Sequence, residues 1–168
     1  RYNLAVLLKE LGRPDDAMAQ LRQIIALDPI CVEALLNLGG LLLDRRQEEE
    51  ALGWLEKAAA LNPADPGISN NLGLALHRLG RTDEAVSTLK QGLSLSPDHP
   101  VLHNSLGLVL LDQNRYEDAS REFEMALAAA PGMTEAHNNL GLAAERQNEI
   151  DQAIDHYRRA LELSSSYH

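Results

Sequence analysis

Asparagine residues, whose side chains end in carboxamides, recur in this sequence at intervals of 34 residues or a multiple of 34. They are Asn3, Asn37, Asn71 and Asn139, and Ser105 takes the remaining place in the series. A carboxamide carries both a donor and an acceptor, so it can hydrogen-bond to a peptide group of an extended chain whatever the sequence of that chain. The chemistry that this spacing suggests is recognition of a polypeptide backbone.

The neighbours of these residues extend the polar row and add apolar side chains to it. The additional members are Asn70, Asn104, Asn138, Leu74, Leu108 and Leu142. If helical hairpins stack at about 9–10 Å, an extended peptide rising about 3.3 Å per residue meets a carboxamide at roughly every third residue. Two alternatives stay open: the asparagines could merely satisfy backbone groups of a neighbouring helix, and the leucines could be partly buried between repeats.

The other reactive side chains form no catalytic or metal-binding pattern. His103 and His137 occupy equivalent places, and His99 precedes Pro100, but a metal site also needs further ligands and second-shell support. We interpret both equivalent histidines as core-filling residues. The single cysteine, Cys31, excludes an internal disulfide and a multi-thiolate site. The sequence has no phosphate loop, nucleophile motif or paired-histidine zinc motif. We therefore predict no enzyme activity, no catalytic residue, no metal and no cofactor.

Composition narrows the classes of partner. The 168 residues contain 15 Lys and Arg against 25 Asp and Glu, which gives a net charge of −10. An acidic field repels phosphate backbones and anionic lipids, so we expect neither nucleic-acid nor membrane binding. Only 4% of the residues are aromatic, and a core of Leu and Ala favours helices over sheets.

The residues around these side chains form a tandem repeat, and the repeat determines where the side chains lie. Proline recurs at Pro29, Pro63, Pro97 and Pro131, and glycine ten residues later at Gly39, Gly73, Gly107 and Gly141. Alanine recurs at Ala17, Ala51, Ala85, Ala119 and Ala153, and the bulky residue four positions later is Leu21, Leu55, Leu89, Phe123 or Tyr157. Five repeats of this length account for the whole chain.

Each repeat predicts two helices joined by a short turn. In the second repeat, apolar residues at helical spacing predict helices over residues 32–45 and 48–61. Acidic residues open each second helix, where they complement the positive end of the helix dipole, and the proline ends it. The recurrent glycine on the first helix lets the two helices approach closely beside the bulky residue. Because one hairpin cannot bury its own apolar face, the pairs must stack into an all-α solenoid.

These columns resemble the tetratricopeptide repeat (TPR), whose unit carries an Asn-Leu-Gly stretch, an Ala, a bulky residue, a second Ala and a closing Pro. The stretches here read Asn37-Leu38-Gly39, Asn71-Leu72-Gly73, Ser105-Leu106-Gly107 and Asn139-Leu140-Gly141. The resemblance covers essentially the whole chain. It implies an all-α, right-handed superhelix of five stacked antiparallel helix pairs in a single domain, with repeats at about 1–31, 32–65, 66–99, 100–133 and 134–168. Because the sequence begins at Arg1 rather than Met, we expect a fragment of a longer chain.

The resemblance also implies that the first helices line a concave groove. A similar asparagine ladder occurs in the TPR superhelix of O-linked N-acetylglucosamine transferase. The carboxylate clamp of co-chaperone TPR proteins is not expected, because the three places of its Lys and Arg residues hold Tyr2, Gly67 and Asn71 here. No charge code is inferred from the charged residues beside the ladder, which include Glu33, Asp44, Asp112, Glu135, Arg78 and Arg146.

We therefore predict a protein–protein interaction scaffold that binds an extended peptide or partner segment in its concave groove. The predicted site residues are Asn3, Asn37, Asn70, Asn71, Leu74, Asn104, Leu108, Asn138, Asn139 and Leu142. One alternative is self-assembly into dimers or filaments through the terminal repeats, because the last helix carries Ile154, Tyr157, Leu161 and Leu163 with no polar capping helix after it. Another is a substrate-recruiting arm of a larger glycosyltransferase-like enzyme. The expected compartment is the cytoplasm, with the periplasm as the alternative.

Overall fold

A computed structural model describes residues 2–165 and is all-α over that range, with ten helices and no strand. The helices are α1 Tyr2–Glu10, α2 Pro14–Leu27, α3 Val32–Asp44, α4 Glu48–Leu61, α5 Pro66–Arg78, α6 Thr82–Leu95, α7 Pro100–Asp112, α8 Tyr116–Ala129, α9 Thr134–Arg146 and α10 Ile150–Ser165. The predicted all-α fold class is confirmed. Arg1 and residues 166–168, which belong to the first and last predicted repeats, lie outside the described residues.

The helices group into two compact units. The first unit ends at Ala85 and the second begins at Val86, within α6. In the first unit, α3 packs against α2 and α4, and α5 packs against α4 and α3. In the second unit, α9 packs against α8, α10 and α7. Each unit thus contains stacked helical hairpins, while the single domain over residues 1–168 stays a prediction. None of the helices within residues 2–165 is long and apolar enough to cross a membrane.

The turn between the helices of a pair has a left-handed residue at the same place in each repeat. These residues are Gly12, Arg46, Gly80, Asn114 and Asn148, with φ between 59° and 75°. Behind the turn at Gly80, the backbone N–H of Arg81 donates to the carbonyl of Leu76 at 2.9 Å. Such bonds satisfy carbonyl groups at the end of the first helix, so one turn geometry is reused along the chain.

The acidic residues at the starts of the second helices pair locally. Arg81 bonds to Glu84 at 2.7 Å, and Arg115 bonds to Asp118 at 2.7 Å. The hydrogen bond from Arg81 lowers the pKa of the Glu84 carboxyl, and that from Arg115 lowers the pKa of Asp118. Much of the negative charge therefore belongs to helix starts.

The recurrent glycines set the distance between paired helices. A Cβ atom added to Gly39 would lie 2.6 Å from Leu55, one added to Gly107 would lie 2.5 Å from Phe123, and one added to Gly141 would lie 2.8 Å from Tyr157. Leu55 and Phe123 are fully buried. The absent side chain is therefore the space that the bulky residue of the second helix occupies, as the sequence predicts.

Replacing Gly107 with alanine tests this contact. The new methyl group would overlap the buried Phe123 ring, so the free energy of unfolding should fall by about 1–3 kcal/mol despite the better helix propensity of alanine. The control is Gly53→Ala, because a Cβ there meets nothing within 4 Å on the exposed face of α4, and it should stabilise by roughly 0.5–1 kcal/mol. Urea unfolding followed by circular dichroism measures both, and equal effects of the two variants would contradict the explanation.

Candidate partner-binding site

The side chain of Asn37 is half-buried and its amide orientation is fixed. Its Nδ2 donates to the Tyr2 hydroxyl at 2.9 Å and to the Glu33 carbonyl, in the same helix, at 2.8 Å. Because a backbone carbonyl only accepts, the atom facing Glu33 must be the nitrogen. Both N–H groups are then used, and within residues 2–165 the structure gives Oδ1 of Asn37 no protein donor.

In the second unit, Asn139 makes the corresponding contact. Its Nδ2 donates to Oδ1 of Asn104 at 2.9 Å. Asn104 precedes it by 35 residues, as Tyr2 precedes Asn37. In each unit, therefore, a ladder asparagine gives its donor to a side chain of a preceding first helix. Both acceptors are side chains and not the backbone groups of a neighbouring helix that the sequence left open as an alternative. Each contact directs the carboxamide oxygen away from its acceptor.

The other predicted polar residues differ in accessibility. Asn70 and Asn71 are half-buried, and Nδ2 of Asn70 donates to Oδ1 of Asn71 at 3.3 Å. Asn3 and Asn138 are exposed, whereas Asn104 is buried at 7% exposure. Asn104 therefore presents little surface to a partner and acts on Asn139. That residues of this set bind a partner stays a prediction.

The predicted leucines are half-buried, and two of them line small niches. Leu74 lines a niche of about 210 Å³ in the first unit, and Leu142 lines one of about 160 Å³ in the second. The first niche is also lined by Lys9, Leu43, Asp44, Asn71 and Arg78. The second is also lined by Leu111, Asp112, Asn114, Tyr116 and Arg146.

The four charged residues that line these niches are not among the binding residues that the sequence predicts. Asp44, Arg78, Asp112 and Arg146 occupy one position in successive repeats, and this alternation of sign is the signal that could have identified them. Nη1 of Arg78 donates to the carbonyl of Leu43 at 2.7 Å. That bond holds the guanidinium across two first helices and adds a side-chain donor to a carbonyl that already accepts from the backbone N–H of Arg46 at 3.1 Å.

The equivalent histidines each have their own partners. Nδ1 of His103 lies 2.7 Å from Oε2 of Glu122, and its Nε2 lies 2.7 Å from the Pro97 carbonyl. His137 reaches the Pro131 carbonyl at 3.2 Å, but its Nδ1 meets Nδ1 of His156 at 3.4 Å. Within residues 2–165, no group of three or more metal-ligating side chains lies together.

Because His137 and His156 face each other, we predict that the folded protein loses stability in acid. Burial first, and then the charge of His137, lower the pKa of His156, while Asp155 and Glu124 oppose the shift. The pKa in the folded state is thus below the unfolded value near 6.5, so this stability is present above about pH 6.5 and is lost as the pH falls below it. Urea unfolding at about pH 7.5 and pH 5.5 should show a smaller loss for His156→Gln than for wild type.

A second substitution gives this prediction its control. His156→Glu places a carboxylate opposite His137, as Glu122 is placed opposite His103, so acidification to about pH 5.5 should cost this variant the least stability. Identical pH profiles for the three proteins would refute the assignment.

Two models of the same protein family match this chain. A tetratricopeptide repeat model matches residues 2–66 and 104–168, and a second tetratricopeptide repeat model matches residues 65–132. No curated protein matches the sequence significantly.

Several solved structures share the fold. TTC0263, a thermophilic TPR protein in Thermus thermophilus, is 26% identical with a TM-score of 0.88, covering 97% of this chain and 89% of that one. MamA from Desulfovibrio magneticus RS-1 is 21% identical with a TM-score of 0.78, covering 98% and 93%. YrrB, a TPR protein with an unusual peptide-binding site, is 20% identical with a TM-score of 0.67, covering 96% and 83%.

Proposed function

Because this chain belongs to the tetratricopeptide repeat family, we propose that it is a non-enzymatic scaffold that holds an extended segment of a partner protein along its first helices. The observation that carries the proposal is the orientation of the ladder carboxamides. Asn37 and Asn139 spend donors on preceding side chains, so their Oδ1 atoms are suited to accept from the backbone N–H groups of a bound segment.

The leucines beside the ladder supply the second kind of contact. Leu74, Leu108 and Leu142 are half-buried, so each keeps part of its apolar surface for a partner side chain. A single hydrogen bond contributes only about 0.5–1.5 kcal/mol. Binding therefore depends on several repeats acting on one extended segment, which the periodic arrangement favours. The shared fold with YrrB, a TPR protein with a peptide-binding site, supports a peptide as the class of ligand.

The test begins with a phage-displayed library of random peptides selected against the wild-type protein. Recovered peptides should bind the triple variant Asn37→Ala, Asn71→Ala, Asn139→Ala at least about tenfold more weakly, since up to three hydrogen bonds are removed. The matched control removes three exposed carboxamides from second helices, Gln23→Ala, Gln91→Ala and Gln152→Ala, and should bind like wild type.

Three results would overturn this proposal. One is a library selection that recovers no peptide specific for the wild-type protein. Another is equal affinity of the recovered peptides for wild type and for a triple asparagine variant whose circular dichroism spectrum is native. Equal weakening by the asparagine and glutamine variants would likewise remove the ladder from the binding site.

A second candidate function, self-association, rests on apolar side chains exposed on α1 and α10. Leu4 and Leu7 are 46% and 49% exposed, although their equivalents Leu38 and Leu41 are buried. On α10, Ile154 and Leu161 are 41% and 70% exposed; their equivalents on α2, Met18 and Ile25, are buried at 6% and 8%. We infer that α10 of one copy can pack on α1 of another as α2 packs on α3.

Light scattering over a concentration series tests this second candidate. Wild type should form species larger than a monomer as its concentration rises, and Leu161→Glu should shift the distribution towards the monomer because it places a charge in the contact. Leu95→Glu, at a similarly exposed leucine of α6, is the control and should leave the distribution unchanged. A strict monomer at every concentration would eliminate self-association.

A further inference from the structure

Two imidazole rings face each other between the helices of the hairpin formed by α9 and α10. Nδ1 of His137 on α9 lies 3.4 Å from Nδ1 of His156 on α10, and the two ring centroids are 5.7 Å apart. One repeat earlier, the place of His156 is held by Glu122, whose carboxylate pairs with His103. His137 thus has a ring nitrogen as its neighbour where the equivalent histidine has a carboxylate. Imidazole nitrogens are the ligands that Zn²⁺, Cu²⁺ and Ni²⁺ prefer.

We propose that His137 and His156 together bind a divalent transition-metal ion, with Zn²⁺ as the reference ion, through their Nδ1 atoms. In the part of the chain that the structure describes, no group of three or more His, Cys, Asp or Glu side chains could hold a metal. Water therefore supplies the remaining ligands, and the site is an open one of modest affinity, unlike a closed structural zinc site. This inference is independent of the proposed function, because neither histidine belongs to the ladder of carboxamides.

The separation of the two nitrogens fits a shared metal ion. A tetrahedral zinc ion with Zn–N bonds of about 2.0–2.1 Å places two ligand nitrogens about 3.3–3.4 Å apart, and the two Nδ1 atoms are 3.4 Å apart. The same tetrahedral geometry brings the ring centroids to about 5.2 Å, against the 5.7 Å observed. Both side chains are half-buried and not fully packed, so a small rotation of each ring directs both lone pairs at one ion.

The hydrogen bond on the far side of the His137 ring prepares its Nδ1 to bind a metal. Nε2 of His137 lies 3.2 Å from the Pro131 carbonyl oxygen. Because a carbonyl only accepts, Nε2 carries the proton of the neutral ring and Nδ1 carries the lone pair. Metal-ligating histidines in proteins usually donate their second ring N–H to a carbonyl or a carboxylate in this way. His156 supplies the second lone pair by moving its own proton from Nδ1 to Nε2.

A surface niche gives an ion access to the pair. His156 lines this niche, which has a volume of about 190 Å³ and lies between α8, α9 and α10. Three carboxylates and one guanidinium also line it, those of Glu117, Glu124, Glu149 and Arg121. Nη1 of Arg121 bonds to the carboxylate of Asp118 at 3.2 Å, which offsets its charge. The niche is therefore negative on balance and attracts a cation.

The protonation of His156 is also compatible with a metal. Burial first, and then the charge of His137, lower the pKa of His156, while Asp155 and Glu124 oppose the shift. The imidazole of His156 is therefore neutral near pH 7.5, and the neutral ring is the form that binds a metal. The two carboxylates that oppose the shift favour positive charge beside this ring, whether a proton or a metal ion carries it.

The test is a titration of Zn²⁺ into tag-free protein at about pH 7.5, measured by isothermal titration calorimetry. We expect His137→Gln and His156→Gln each to weaken Zn²⁺ binding at least about tenfold, because each removes one of the two protein ligands. The control is His99→Asn, which removes a half-buried histidine outside the pair. Asparagine keeps a side-chain acceptor at the N-cap of α7, so this variant should bind Zn²⁺ like wild type.

Two further measurements on the wild-type protein identify the ligand atoms. In long-range ¹H–¹⁵N spectra of the histidine rings, Zn²⁺ should shift the Nδ1 signals of His137 and His156 together, while Nε2 of His137 stays a protonated nitrogen. Because the ion joins α9 to α10 only in the folded protein, Zn²⁺ should also raise the urea midpoint of wild type. The midpoints of the two glutamine variants should change less.

Four outcomes would overturn the metal site. They are no saturable Zn²⁺ binding to wild type, equal affinity of wild type and natively folded glutamine variants, a Zn²⁺-induced shift of Nε2 and not Nδ1, and weaker binding by His99→Asn alone. If a glutamine variant fails to fold, the spectra of wild type still decide. None of these results bears on peptide binding at the ladder of carboxamides, and a failed peptide selection does not bear on the metal site.

Discussion

The packing of a bulky side chain onto a glycine is the constraint on which the rest of this structure depends. At Gly39 and Gly107 the space that a Cβ atom would need is filled by Leu55 and Phe123. Close packing of this kind fixes the distance between two helices and tolerates little added volume. Because the same contact recurs along the chain, first helices of successive pairs in each unit are placed side by side in a regular way. The polar side chains that link them, such as Asn37 and Tyr2, rely on that regularity.

In the ladder of carboxamides, one side chain can combine a structural role with the proposed binding role. A carboxamide has two N–H donors and an oxygen acceptor. A side chain of the preceding first helix accepts from the amide nitrogen of Asn37 and of Asn139. At Asn37 both N–H groups are used within the protein, which satisfies half-buried polar atoms and orients the oxygen. An oriented acceptor loses little side-chain entropy when a ligand binds. The contact between helices is therefore compatible with the proposed recognition of a partner segment.

The charged residues divide between the two kinds of helix. Acidic residues at the starts of second helices pair with a neighbouring Arg, as Glu84 does with Arg81, and they complement the helix dipole. Asp44 and Arg78 instead stand on first helices and line a niche with two leucines. The same residue types thus stand at helix starts in one place and line a surface niche in another. Composition sums both groups and cannot separate them.

The sequence by itself determined the elements of this protein. The columns of Pro, Gly, Ala and bulky residues predicted helices over residues 32–45 and 48–61, and the structure has Val32–Asp44 and Glu48–Leu61. These features follow from helix periodicity and turn chemistry, which act over a few residues. The pairing of Gly39 with Leu55 was also predictable, because a hairpin with a short turn brings those two positions together.

Only the tertiary structure decided which polar atoms meet. The hydrogen bond from Asn139 to the buried Asn104, the contacts of His103 with Glu122 and of His137 with His156, and the shared niche of Asp44 and Arg78 all join residues 19 to 35 positions apart. Hydrogen bonds are strongest at donor–acceptor distances of about 2.7–3.2 Å and at favourable angles. Whether two such side chains meet therefore depends on the distance and rotation between packed helices, and sequence periodicity specifies neither to that precision.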